Sequence, residues 1–209
     1  MSPAGVFVAF EGPEGAGKST QLARAADALR ALGRRVEVTF EPGATVLGKG
    51  LRETLLHARA EAAPAPLAEL FLYLADRAQH VSHVIAPALA AGSVVLTDRF
   101  SASTIAYQGH GRGLDIEHVK RADTWARNGL TPQLTLLLDL PVRLGLARAR
   151  GGDDRFHRED LGFHERVRDG FLRLAGDAPE AWRVVDATQP ADAVHAQVMA
   201  ALRALLEST

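Results

Sequence analysis

Five short apolar runs punctuate the chain: "VFVAF" (Val6–Phe10), "RVEVTF" (Arg35–Phe40), "SVVLT" (Ser93–Thr97), "LTLLLDL" (Leu134–Leu140) and "WRVVD" (Trp182–Asp186). Most lack strict apolar–polar alternation, the pattern of strands covered on both faces. Between them lie Ala/Leu/Arg segments of helical period, such as "QLARAADALRAL" and "ADAVHAQVMAALRALL". Strands separated by helices predict parallel βαβ units and a doubly wound α/β sheet. The prolines of "EAAPAPLAEL" read as a break before a long helix, Pro66–Ala91, and not as a domain boundary. With no internal repeat and no low-complexity linker, one domain over 1–209 is expected.

Composition narrows the function. A chain of 209 residues, 47% hydrophobic, can bury a substantial core. Its 24 basic and 25 acidic side chains leave a formal charge of −1, without the basic excess of a nucleic-acid binder. Lysine occurs only at Lys18, Lys49 and Lys120. The absence of cysteine excludes disulfides, thiol nucleophiles and thiolate metal sites. The N-terminal apolar run is too short for a secretory signal, and no stretch approaches the roughly 18 apolar residues of a membrane span. A soluble, cytoplasmic protein with no nucleic-acid or membrane partner is expected.

One loop carries explicit chemistry. Gly12-Pro13-Glu14-Gly15-Ala16-Gly17-Lys18-Ser19 fits G-x-x-x-x-G-K-[ST], with a strand before it and a helix after it. In such a loop (12–19), backbone N–H groups converge on phosphate oxygens and the helix adds its positive end. Lys18 reaches the β- and γ-phosphates, and Ser19 offers its hydroxyl to Mg²⁺. Hydrolases, switches and kinases share this device, so the acceptor must be sought elsewhere. The third strand runs into "TDRFSASTIAYQG" (Thr97–Gly109). There Asp98 suits a water-mediated Mg²⁺ ligand and Arg99 a bidentate phosphate contact. Ser101, Ser103, Thr104, Tyr107 and Gln108 place polar groups where a buried helix would be apolar, as a pocket lining does.

Taken together, "FEGPEGAGKSTQ", "EPGAT", "LYLADRAQH", "DRFSASTIAYQG", "LARARGGDDR" and "VVDATQP" resemble the thymidylate kinase family over nearly the whole chain. The resemblance implies a P-loop kinase three-layer fold. It has a five-stranded parallel sheet covered by helices on both faces and a short mobile lid, approximately 148–160. The implied reaction moves the γ-phosphate of ATP to dTMP with Mg²⁺, and the implied assembly is a homodimer. Gly12–Thr20 and Arg148 are expected at ATP, and Ser19 and Asp98 at the metal. On the acceptor side, Tyr73 stacks on thymine, and Arg77, one helical turn on, donates to its O4, a contact that cytosine's amino group refuses. Gln108 and Ser103 face the base, Tyr107 the sugar, and Glu14 the 3′-hydroxyl. Arg52 and Arg99 clamp the acceptor phosphate, and Glu41-Pro42 bring backbone to the nucleotide, with a cis bond expected between them.

The transfer needs a cation on the moving phosphoryl. The glycine loop has no arginine, which matches members that keep theirs in the lid. Alongside Lys18 and Arg99, Arg150 and Arg155 are therefore expected there, with Gly151 and Gly152 giving the lid its flexibility. The chain departs from the family at Phe40 (usually arginine), Ala44 (usually glycine) and His157 (often glutamate); Phe40 is expected to pack under the sheet. His80 and His83 read as solvated helix residues. Competing readings are a related small kinase with another acceptor, and a nucleotide-dependent switch. The Tyr73–Arg77 and Arg52–Arg99 pairs argue against both.

Overall fold

The computed structural model describes residues 5–149 and 155–208. The apolar runs form β1 (Val6–Glu11), β2 (Val36–Phe40), β3 (Val94–Asp98), β4 (Leu134–Asp139) and β5 (Trp182–Asp186), each where the pattern predicts a strand. They build one parallel sheet in the order β2-β3-β1-β4-β5. Side chains of β1 alternate between two apolar layers, which is why its sequence shows no polar face. Val6, Val8 and Phe10 join Leu96, Leu136 and Leu138 beneath α1 (Lys18–Ala31) and α9 (Ala191–Glu207). Phe7 and Ala9 face the other way and pack with Val95, Ile85 and Phe100.

The second layer contains α2 (Val46–His57), α3 (Pro66–His80) and α4 (Ala86–Ala90), then α5 (Ser101–Thr104), α6 (Ile116–Ala126) and α8 (Leu161–Asp177). The helix expected over Pro66–Ala91 is present as α3, a π-helical turn at Val81–Ile85, and α4. Pro87 lacks the N–H that would bond the carbonyl four residues earlier, and the helix widens just before it. A second π-helical turn, Ile105–Gly111, continues α5 and carries Tyr107 and Gln108.

Register places the chemistry. Phe10, Asp98 and Phe40 are paired across β1, β3 and β2. The next residues, Glu11, Arg99 and Glu41, therefore share one level at the carboxyl end of the sheet, where open α/β sheets bind ligands. α7 (Val142–Arg148) leans on the glycine loop through small residues: a Cβ at Gly145 would stand 2.3 Å from the Glu14 carbonyl oxygen.

This contact is testable against a helical glycine that touches nothing. Gly145→Ala is expected to lower stability by roughly 1–3 kcal/mol, because backbone must move to admit the methyl. Gly50, within α2, has open space around its Cβ position, and Gly50→Ala should raise stability by about 0.5–1 kcal/mol. Urea unfolding of both variants checks the opposite signs.

Candidate active site

The loop between β1 and α1 opens onto a cavity of about 590 Å³, with the glycine loop at one end and α3 at the other. Lys18 is buried, and its Nζ donates to the carbonyl oxygens of Gly12 at 3.1 Å and Pro13 at 2.9 Å. Burial pushes its ammonium down to about 8, and the nearby Arg99 charge adds to the effect. Glu14, Gly15, Ala16, Gly17, Lys18, Ser19 and Thr20 line the cavity. Ser19 Oγ donates to Asp98 Oδ2 at 2.5 Å, so the two residues expected at a metal meet as a pair of hard oxygen donors. Among the described residues no group of three or more His, Cys, Asp or Glu could hold a metal alone. The donor set thus suits a cation that keeps most of its other ligands on phosphate and water.

Arg99 adopts φ 70°, a left-handed conformation costing a non-glycine residue roughly 1–3 kcal/mol. Neighbouring bonds hold it there. Its N–H donates to the Phe10 carbonyl at 2.9 Å, and Thr97 Oγ1 donates to its carbonyl at 2.9 Å. The buried Glu11 carboxylate accepts from the Phe100 and Ser103 N–H groups and from Ser103 Oγ. Burial raises Glu11 to about 6, while these bonds and the Arg99 charge oppose the rise. The Arg99 guanidinium donates to the Gly12 carbonyl, Ser103 Oγ and Tyr107 Oη, with Glu14 Oε1 farther off at 3.5 Å. Ser103, expected toward the base, lines the cavity, donates its hydroxyl proton to Glu11 and accepts from Arg99. Tyr107 stands beneath Arg99, its ring 5.1 Å from the guanidinium carbon. Arg52 reaches the same cavity from α2, donating to the Pro42 carbonyl at 2.7 Å.

At the far end Arg77 is 1% exposed. Its Nε and Nη2 donate to Glu41 Oε2 at 3.0 and 2.6 Å, and its Nη1 to Thr104 Oγ1 at 2.8 Å and Asp123 Oδ1 at 2.7 Å. A guanidinium has five N–H donors. These bonds use four of them and leave one Nη2 hydrogen, and Arg77 lines the cavity. Glu41, at the foot of β2, also accepts from His80, whose other ring nitrogen lies 2.6 Å from Thr39 Oγ1. His80 is 0% exposed, a correction to its reading as a solvated residue: helical spacing alone could not reveal Glu41 and Thr39 beneath it. His83 is exposed as expected. Asp76 accepts from the Gly43 N–H, and burial followed by the Glu41 charge raises it to about 6. The Glu41–Pro42 bond is cis, as expected, and both residues line the cavity.

Tyr73 and Gln108 also line the cavity. Burial, reinforced by the Glu69 charge, pushes the Tyr73 phenol far up, so the ring stays neutral. Glu69, on α3, is 0% exposed and accepts from Gln108, Arg112 and Arg155. Arg155, expected at the transferring phosphoryl, is one of these donors. Its guanidinium is committed to Glu69 and the Leu55 carbonyl, lies 4.7 Å from the Phe156 ring centre, and does not line the cavity. Arg150, Gly151 and Gly152 lie outside the described residues. Arg148 donates to the Ala187 carbonyl at 2.8 Å, which ties the end of α7 to the "DATQP" turn. His157 has one ring nitrogen 3.0 Å from the Ala149 carbonyl and the other 3.8 Å from Glu14. Phe40, expected under the sheet, is instead 44% exposed at the cavity mouth, 5.7 Å from the Arg52 guanidinium.

Comparisons with known proteins agree on the family. The family model described as thymidylate kinase matches residues 10–198. A curated thymidylate kinase from Desulfovibrio desulfuricans is 52% identical over 210 residues, covering 96% of each chain. One from Geobacter sulfurreducens is 51% identical over 197 residues, covering 90% of this chain and 92% of that one. Among solved structures, thymidylate kinase from Ehrlichia chaffeensis superposes with a TM-score of 0.78 at 31% identity, covering 96% of this chain and 99% of that one.

The lowered Lys18 gives the site a pH signature. A bound triphosphate favours the charged ammonium and raises its pKa above the free value of about 8. Affinity for Mg-ATP should therefore be full below pH 8 and decline as pH rises through it, with proton uptake on binding near pH 8. Titration calorimetry in buffers of different ionisation enthalpy measures that uptake, and Lys18→Met should abolish it.

Proposed function

The chain belongs to the thymidylate kinase family, and we infer that it performs that family's reaction, transfer of the γ-phosphate of ATP to dTMP to give dTDP and ADP. The observation that carries this reading is how the cations of the cavity are partnered. Lys18 and Arg52 rest on backbone carbonyls, and Arg99 rests chiefly on a carbonyl and hydroxyls. Phosphate oxygens can replace such neutral acceptors without leaving a carboxylate unpaired. Arg77, by contrast, is neutralised by Glu41 and Asp123 and suits a neutral base. One cavity therefore has anion-binding groups at its loop end and a charge-compensated, hydrogen-bonding end beside Tyr73.

In this reading Gly12–Thr20 hold the ATP phosphates, and Arg148, tied to Ala187, borders the adenine. Arg52 and Arg99 take the acceptor phosphate, Tyr73 lies against thymine, and the remaining Arg77 hydrogen meets O4. Glu41 and Pro42 serve the nucleotide indirectly, through Arg77 and Arg52. Tyr107 crowds the position of a ribose 2′-hydroxyl, and Glu14 meets the 3′-hydroxyl. The acceptor needs no general base, because a phosphate monoester with a second pKa near 6 is largely ionised at neutral pH. Ser19 and Asp98 fit Mg²⁺, which when bound neutralises phosphate charge. Lys18, Arg99 and the lid's Arg150 neutralise the rest on the transferring phosphoryl.

The enzyme works as a homodimer in the cytoplasm, where ATP and dTMP are found. Supporting the dimer, α2, α3 and α6 pack together and expose Val46, Phe71 and Trp125, the last at 88%. No helix among the described residues is long and apolar enough to cross a membrane.

ADP release with Mg-ATP and a series of acceptors tests this reading. Release should depend strongly on dTMP and yield dTDP, and dUMP should react less efficiently, since one methyl is worth only about 1–3 kcal/mol. Release independent of any acceptor would indicate an ATPase or switch. Preference for thymidine would sink the Arg52–Arg99 phosphate clamp.

A further inference from the structure

Gln108 has a side-chain amide with two chemically opposite ends, one donating and one accepting. Facing a pyrimidine, the accepting end meets the N3–H of thymine or uracil, whereas the donating end would suit the bare N3 of cytosine. What fixes the amide decides which base is read.

Gln108 is buried in the π-helical turn after α5, and its Nε2 donates to Glu69 Oε1 at 2.7 Å. Glu69 is itself fully buried on α3 between two guanidiniums. Arg112 donates to both of its oxygens, at 3.3 and 3.2 Å, and Arg155 donates to Oε2. A carboxylate so placed accepts on every side. Rotating the Gln108 amide by half a turn would set its oxygen against Glu69 Oε1, burying two acceptors together and leaving the NH₂ without its partner. The NH₂ therefore stays on Glu69, and Oε1 is the end presented to the cavity that Gln108 lines.

We propose that Glu69 is a specificity-determining positioning residue: it locks the Gln108 amide with its oxygen toward the base, so that the site demands an N3–H on the acceptor. This deepens the reading of the site as a dTMP kinase and rests on it. Arg77 already opposes the 4-amino group of cytosine, and the Glu69–Gln108 pair adds a second, independent check at N3. Arg112 and Arg155 serve that check by keeping a carboxylate in a place that a lone charge could not occupy. The role gives the Arg155–Glu69 contact a purpose: its charge supports the buried carboxylate.

The test is the ratio of kcat/KM for dTMP to that for 5-methyl-dCMP, which keeps the methyl and changes only N3 and the 4-substituent. It is measured in wild type, Glu69→Gln, Gln108→Ala and the double variant. Each single change should lower the ratio by about ten- to hundredfold, since each removes one buried hydrogen bond to the base or its orientation. The double variant should be no less selective than Gln108→Ala, because Glu69 acts through Gln108. A purely structural Glu69 would lower kcat/KM for both nucleotides alike and leave the ratio unchanged, which overturns the proposal. Independent, multiplying effects in the double variant, or an unchanged ratio in Gln108→Ala, overturn it too. Glu69→Asp keeps the charge between the arginines and withdraws it from Gln108 by one methylene. Should Glu69→Gln not fold, a lowered ratio in the aspartate variant sustains the proposal and an unchanged one overturns it. A wild type that phosphorylates neither nucleotide overturns the kinase reading itself, whereas a wild type that prefers dTMP leaves only the role of Glu69 at stake.

Discussion

A guanidinium can be taken out of water only where its N–H groups meet acceptors and its charge meets a carboxylate. That requirement at Arg77 organises the acceptor half of this molecule. Glu41 comes from the end of β2, Thr104 from α5 and Asp123 from α6, and all converge on one side chain of α3. Asp123 in turn binds Ser101 and Arg127, and Glu41 binds His80. Removing either carboxylate would leave a buried charge short of a partner, an imbalance that costs about 3–5 kcal/mol in comparable pairs. The end of β2, α3, α5 and α6 are thus held in register by electrostatics as much as by apolar packing.

The same device recurs at Glu69, with the signs exchanged: there a buried carboxylate is the centre and two arginines answer it. In the proposed reading the base binds between these two hubs, beside Arg77 and Gln108, whose polar atoms are already held by buried partners. Fixed donors and acceptors discriminate well because a wrong partner leaves them unpaired, and they need no rearrangement when the right one arrives. The glycine-loop end follows the opposite rule. Lys18, Arg52 and Arg99 lean chiefly on neutral oxygens that an incoming anion can displace. The strained Arg99 backbone keeps its guanidinium aimed at that end, at an energetic cost that the bonds around Glu11 offset.

Sequence and structure agree most closely where the signal is local. All five strands follow from short apolar runs, and the glycine loop follows from spacing with a strand before it and a helix after it. Arg52, Tyr73, Arg77, Arg99, Tyr107 and Gln108 reach one cavity, as the resemblance to the family implied. Glu11, Glu69 and Asp123 were not legible, because each looks like an ordinary acid in its own element. Their partners lie tens of residues away, as with Gln108 and Glu69 or Phe100 and Glu11. For the same reason His80 reads as solvated in the sequence, and the bond from Arg155 to Glu69 is not legible there: a long polar side chain shows its type in sequence, and its partner only in the fold. Phe40 fails differently. Its aromatic character suggests burial, yet β2 is an edge strand, and the residue ends at the cavity mouth beneath Arg52.

The claim on which the rest depends is that Arg77 reads the base while remaining bound to Glu41 and Asp123. A crystal structure of the protein with dTMP tests it most directly. The account predicts thymine O4 within hydrogen-bond distance of Arg77 Nη2, with the Glu41 and Asp123 contacts intact and the ring against Tyr73. A base bound away from Arg77, or a guanidinium that has left its carboxylates to meet the nucleotide, would contradict it.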